Sequence, residues 1–135
     1  MGTVGRQSGQ ARLHVLGRTT KVEVQRQLSK QRLMKEEQGN CYTDEHLAYW
    51  NLGQLGPHHA IVHHARYEWA RDDDGDGINE VHTNTMEGFW TGLRNYLRPF
   101  RGVSKHYLYQ YVAMYAWVHN VKIMTTEVAQ AMAFT

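Results

Sequence analysis

Residues 81–112 read VHTNTMEGFWTGLRNYLRPFRGVSKHYLYQYV, and this stretch decides how the chain folds. Its apolar residues recur at helical spacing, which predicts one helix over 84–98 and another over 105–121. The helix breakers Pro99 and Gly102 lie between them. On a helical wheel the first helix has a wide apolar arc, which we expect to be buried. This arc consists of Met86, Phe89, Trp90, Leu93, Tyr96 and Leu97.

The opposite face of the same helix carries charge. Thr91, Arg94 and Arg98 lie within about 40° of Glu87 on the wheel. A carboxylate that can ligate a metal, beside guanidinium groups that can hold phosphate, suits phosphoryl transfer on nucleic acid. Asn84 and Glu87 also have the spacing of a capping box, in which the carboxylate only satisfies the helix N-terminus. The spacing alone leaves both interpretations open.

The part of the chain before residue 81 alternates between strand and helix signals. We predict an α/β layer sheet from this order. Residues 1–10 are rich in Gly, Ser and Gln and are predicted to be a disordered leader. The predicted elements are strands over 11–16, 40–43 and 59–63, helices over 21–34 (capped by Thr20) and 45–52 (closed by Gly53), a turn at Gly56 and Pro57, an exposed loop over 72–77 and a last short helix over 126–133.

Asp44 stands where a predicted strand ends and a predicted helix begins. As the N-cap of the helix over 45–52 it needs no further role. In open α/β sheets, however, functional groups gather at the carboxyl ends of strands, where an Asp projects into the crevice. Asp44 is therefore a second residue with a structural and a functional interpretation.

The composition limits the class of protein. A chain of 135 residues with 41% hydrophobic and 21% charged residues predicts one globular domain. The lone thiol, Cys41, excludes an internal disulfide framework and favours a reducing cytoplasm. No secretion signal or membrane span is predicted. Residues 1–39 hold eight Lys and Arg against three Glu, so the front of the chain is basic; this fits contact with phosphate backbones or a solvated helix face.

Three stretches taken together resemble a known family. They are YTDEHLAYWNLG from Tyr42, the strand that ends at His63 and His64, and the stretch over 81–112. They are similar to the DDE transposase domain of the ISXO-like insertion-sequence family, in which a strand ending in T-D-E precedes a helix and a later helix opens with H-T-N-T-x-E-G-F-W. The resemblance covers residues 11–135 and implies an α/β, ribonuclease-H-like fold.

The resemblance implies metal-dependent cleavage and strand transfer of insertion-sequence ends. Asp44 matches the second catalytic aspartate and Glu87 the final glutamate, and both are implied ligands of Mg²⁺ or Mn²⁺. Arg94 stands where the family commonly has lysine, so its positive charge is kept although its geometry differs. The implied partners are transposon-end and target DNA and a full-length transposase or a second copy, in the cytoplasm near the nucleoid. The implied DNA-binding residues are Arg94, Arg98, Arg101 and Lys105.

The sequence departs from the family pattern at its front. The family's first aspartate lies on an early strand, and no Asp precedes Asp44 here. We therefore expect a partial catalytic domain, truncated at its N-terminal strand and inactive alone. The alternatives are a non-catalytic remnant that binds DNA or transposase, with a regulatory role or none, and a first strand supplied by an upstream reading frame.

Three further patterns favour ordinary structure. Asp72, Asp74, Asp76 and Gly77 match positions 1, 3, 5 and 6 of an EF-hand loop, but Thr83 stands where a bidentate Glu is needed, so a solvated loop is the expectation. The histidines at 58, 59, 63 and 64 lack the cysteines typical of a structural zinc site. Tyr107, Tyr111 and Tyr115, beside Leu108 and Val118, are expected to pack in the core.

Overall fold

The computed structural model describes residues 1–30, 40–50, 52 and 58–133. The predicted end of the first helix over 31–34, Gly53, and the turn at Gly56 and Pro57 lie outside these residues. The described chain forms two compact units, Met1–Val15 with Thr85–Thr135, and Leu16–Asn84. The mixed α/β class is confirmed. Within the described residues the strands form three separate two-stranded sheets, where a single layered sheet was expected.

The first unit begins with a β-hairpin where a disordered leader was expected. Strand β1 (Gly2–Val4) pairs antiparallel with β2 (Ala11–Leu13), so that Val4 lies opposite Ala11. Gly9 has a φ of 64°, a left-handed conformation that closes the connecting turn at little cost for glycine. The composition of residues 1–10 hid this strand, because Thr3 and Val4 provide its only two β-forming residues.

Two helices complete the first unit. Helix α2 (Asn84–Leu97) lies where it was predicted, followed by a 3-10 turn over Arg98–Phe100. Helix α3 (Leu108–Ala133) is continuous, so the predicted separate helix over 126–133 is wrong. No Pro or Gly interrupts residues 103–135, and one unbroken helix is the physical result.

Aromatic contacts join α2 to α3. Phe89 meets Tyr115 and His119 edge to face, with ring centroids 5.1 and 4.8 Å apart. Tyr111 contacts Phe100 at 4.8 Å. The predicted tyrosine packing therefore holds for Tyr111 and Tyr115. It is wrong for Tyr107 and Val118, which are 59% and 51% exposed.

Helix α3 also holds the hairpin. The side chain of Asn120 accepts a hydrogen bond from the Ala11 amide at 2.8 Å and donates one to the Ala11 carbonyl at 2.9 Å. One ring nitrogen of His119 lies 3.1 Å from the carbonyl oxygen of Gly9. A side-chain amide thus takes the place of a further strand beside the edge of β2.

The second unit is built around a parallel strand pair. Strands β3 (Asn40–Asp44) and β4 (His58–Val62) are in register from Asn40 opposite His58 to Asp44 opposite Val62. Strand β5 (Ala70–Arg71) pairs antiparallel with β6 (Val81–His82). Ala60, Val62 and Val81 form the core cluster, with Tyr42 packed against it.

Helix α1 (Lys21–Lys30) belongs to this unit and buries Val24 and Leu28. The predicted cap is confirmed, since the Thr20 hydroxyl accepts the Glu23 amide at 3.3 Å. The predicted helix over 45–52 is wrong. A short 3-10 turn over Leu47–Tyr49 stands there, and Trp50 leaves the helical region with a ψ of 135°.

Candidate functional site

Asp44 lies at the carboxyl end of β3, on the edge where both parallel strands end. Its side chain is half-buried, and its Oδ1 accepts the backbone amide of His46 at 3.1 Å. This bond forms a local turn and caps no helix. The 3-10 turn that follows is capped by His46, whose Nδ1 accepts the amide of Ala48 at 3.1 Å. Tyr49 is close enough that its pKa is raised, first by burial and then by the charge of Asp44.

Glu45, the next residue, ties the two strand ends together. Its carboxylate accepts the backbone amides of His64 at 2.9 Å and Ala65 at 3.1 Å, just beyond the end of β4. Hydrogen bonds from its own amide and from His64 and Ala65 lower the pKa of Glu45. A lowered pKa means that this contribution to stability is present at neutral pH and is lost as the pH falls through that pKa. No pattern in the sequence indicates this role of Glu45.

His64 extends the same network towards α2. Its Nε2 lies 3.1 Å from the hydroxyl of Thr83, and its ring lies 5.1 Å from Trp69. Thr83 directly precedes the first residue of α2, Asn84. Within the second unit, the edge that carries Asp44 is therefore connected by hydrogen bonds through Glu45 and His64 to Thr83.

The side chain of His59, on strand β4, also has a hydrogen-bond partner. Its Nε2 lies 2.8 Å from the hydroxyl of Thr43 on the neighbouring strand. Burial, followed by the charge of His58, lowers the pKa of His59, which favours the neutral ring. A hydrogen bond between neighbouring strands is thus the role that the structure gives His59.

Cys41 lies on the neighbouring strand β3. Burial raises the pKa of its thiol, so this group is protonated at neutral pH.

The two faces of α2 are as predicted. Phe89 and Leu93 are buried, and Met86, Trp90, Tyr96 and Leu97 are half-buried. The exposed face carries Glu87, Thr91 and Arg94, and one guanidinium nitrogen of Arg94 donates to the Thr91 hydroxyl at 3.0 Å. This bond orients Arg94 along the exposed surface.

The remaining predicted DNA-binding residues follow α2. Arg98 is exposed and lies in the 3-10 turn, one residue past the helix. Arg101 ends that turn with a φ of 52°, and Lys105 is exposed in the connection to α3. Four cations therefore lie along one chain segment of the first unit. Asp44 belongs to the second unit, so its approach to Glu87 stays a prediction.

A protein-family model described as an ISXO2-like transposase domain matches residues 1–120 of the 135. The chain belongs to this family. Neither a curated protein nor a solved structure is detectably similar to the chain. The match begins at Met1, so it includes strand β1, which precedes the region of the sequence resemblance.

A transposase domain of the DDE type implies a divalent ion. The side chains proposed to bind it can be compared with the ligands that such an ion prefers. Mg²⁺ and Mn²⁺ prefer oxygen ligands. Asp44 and Glu87 are both carboxylates, and the described side-chain hydrogen bond of Asp44 uses one of its two carboxylate oxygens. The donor set therefore fits such an ion.

The transposase domain also has an acidic loop that brings four carboxylates together. One oxygen from each of Asp72, Asp74, Asp76 and Glu80 lies within 4.8 Å of the others. Asp72 accepts the amides of Gly77 at 2.8 Å and Gly75 at 2.6 Å, and these bonds lower its pKa. Oxygen atoms so arranged could hold a divalent cation. Glu80, at position 9 of the loop, is not among the EF-hand positions considered in the sequence analysis.

None of the described helices of the transposase domain is long and apolar enough to cross a membrane.

Proposed function

We propose that this chain takes part in DNA transposition as part of a ribonuclease-H-like DDE catalytic domain. In this proposal Asp44 and Glu87 are ligands of Mg²⁺ or Mn²⁺, which would activate the attacking oxygen and stabilise the leaving group. The exposed cations contact phosphates of transposon-end or target DNA. These cations are Arg94, Arg98, Arg101 and Lys105.

The observation that carries the proposal is the placement of Asp44. It ends a strand whose parallel neighbour ends beside it, with Asp44 opposite Val62. Carboxyl edges of parallel strands are where α/β proteins gather functional groups. Glu45 holds the two ends in place through the amides of His64 and Ala65, which would keep Asp44 in a defined position.

The exposed face of α2 supports the other half of the proposal. Glu87 is exposed about two turns before Arg94, whose guanidinium is oriented by Thr91. If Asp44 and Glu87 bind one metal site, their carboxylates approach within roughly 8 Å, because ligand distances are about 2 Å and paired ions lie about 4 Å apart. A measured distance well above this excludes a shared site.

We propose further that the 135-residue chain does not join DNA by itself. No Asp precedes Asp44, and Glu23, Glu36 and Glu37 are the only acidic residues upstream. Two carboxylates position two ions poorly, and loss of the third ligand removes several kcal/mol of transition-state stabilisation. The second candidate, a regulatory remnant that binds DNA or a full-length transposase, is favoured by the exposed cations, which need no metal.

The test measures Mn²⁺ binding by the purified chain, with electron paramagnetic resonance as the readout. The acidic loop could bind Mn²⁺ as well, so Asp72, Asp74 and Asp76 are first replaced by Asn in a common background. In that background we expect Asp44→Asn and Glu87→Gln each to weaken Mn²⁺ binding about tenfold or more. Unchanged binding in both variants contradicts the proposed site.

Strand transfer with the matching insertion-sequence ends and Mn²⁺ tests the second part. We expect no joined product from the wild-type chain. Joining that disappears in Glu87→Gln would show that the chain contains a third ligand. If the chain binds DNA without Mn²⁺, and the Asp44 and Glu87 variants bind Mn²⁺ as well as their background does, the results support the regulatory remnant.

A further inference from the structure

Helix α3 has two apolar faces, and only one of them packs within its own unit. Val112 and Ala116 are buried, and Ile123 reaches Gly9 of the hairpin. The opposite face carries an apolar row, which we call the α3 seam. Its members, with their exposed fractions, are Met114 (52%), Trp117 (62%), Val121 (38%), Met124 (54%) and Val128 (58%).

The spacing of the α3 seam is that of a helix pair. Its residues follow one another in steps of three, four, three and four, the a and d positions of a heptad repeat. Such a row stays on one side of a helix over several turns and fits a partner helix with the same repeat. A second α3 offers that repeat, because the row is complementary to itself when two copies meet about a twofold axis.

Charge does not oppose such a pair. Lys122 and Glu127 are the only Lys, Arg, Asp or Glu residues between Leu108 and Ala133. On the helical wheel they lie on opposite flanks, about 120° and about 100° from the centre of the seam. A nucleic-acid partner finds no cationic surface there, and bringing two seams together desolvates no charge.

The area is sufficient for a stable dimer. If fully covered, the exposed parts of the five residues would bury about 500–600 Å² on each copy, or about 1,000–1,200 Å² in total, and a specific interface should exceed about 1,000 Å². Val121, Met124 and Val128 also lie beyond residue 120, where the family match ends. Membership of the family therefore does not account for this part of the seam.

We propose that the α3 seam is a self-association surface on which α3 of a second copy packs. The proposal is independent of the catalytic assignment, since none of the seam residues belongs to it. Trp117 provides the largest side chain of the interface, a residue type that often contributes most to binding.

The test uses sedimentation equilibrium of the full chain over a range of concentrations. We expect a monomer–dimer equilibrium for the wild type. Val128→Glu places a carboxylate from each copy in the apolar seam and should raise the dissociation constant about tenfold or more. Gln130→Glu is the matched control, because it adds the same charge two residues away, on the opposite face of α3, and should leave the equilibrium unchanged.

Circular dichroism of each variant shows whether α3 still folds, and Trp117→Glu is a second variant should Val128→Glu fail to do so. A wild type that stays monomeric at its highest soluble concentration overturns the proposal, with the seam then covered within one chain or by a different partner such as a lipid surface. A dimer that persists in both seam variants also overturns it, since the interface must then lie elsewhere.

Discussion

Removing the side-chain amide of Asn120 should detach the hairpin from α3. In the native unit this amide pairs with both the N–H and the carbonyl of Ala11, at 2.8 and 2.9 Å, and Ala11 is only 1% exposed. Asn120→Ala leaves both backbone groups unpaired in a site with little access to water. Each unsatisfied group costs about 1–3 kcal/mol, so we expect the first unit to lose about 2–6 kcal/mol of stability.

The measurement has two parts, because the two compact units need not unfold together. Urea denaturation gives the free energy of unfolding, and hydrogen exchange of the Ala11 amide gives the local effect directly. Gln130→Ala removes an exposed amide from the same helix and should change stability by less than about 0.5 kcal/mol. Unchanged protection of Ala11 in Asn120→Ala would refute the argument that this side chain replaces a strand.

Two further predictions concern the DNA-facing helix and a strained turn. The double variant Arg94→Ala, Arg98→Ala should reduce the slope of log affinity for duplex DNA against log salt by about 1.8, or 0.9 per phosphate contact. The charge-matched Lys21→Ala, Lys30→Ala control should keep the slope, and equal slopes in both contradict the assignment. Tyr67 has a φ of 59° and is 86% exposed, so Tyr67→Gly should stabilise the second unit by about 0.5–1 kcal/mol in thermal unfolding, whereas Tyr67→Ala keeps the strain.

The elements with strong local signals could be predicted from the sequence. The helix over 84–98 was found within a residue, because its apolar arc and the breaker Pro99 are both local features. The cap at Thr20 and the strand that ends at Asp44 were found for the same reason. These features depend on a few neighbouring residues, so no tertiary contact could override them.

The elements that depend on distant partners could not be predicted. Strand β1 is held by β2, and β2 in turn by Asn120, 109 residues along the chain from Ala11. Strands β5 and β6 have two residues each, too few for a periodic signal. The clamp of Glu45 on His64 and Ala65 joins residues 19 and 20 positions apart. No local pattern contains these pairings.

The sequence left Asp44 with two interpretations, as a helix N-cap and as a functional residue. The local structure removes the first of them. The structural explanation was that Asp44 caps a helix over 45–52, and no such helix forms in the described part of that segment. The acidic residue of the T-D-E sequence with the clear structural task is Glu45, which holds the ends of β3 and β4 with both of its oxygens. The Oδ1 of Asp44 accepts a hydrogen bond from the amide of His46. With helix capping removed as a reason for its identity, two explanations remain for a carboxylate at this edge, the local turn to His46 and the metal binding proposed above.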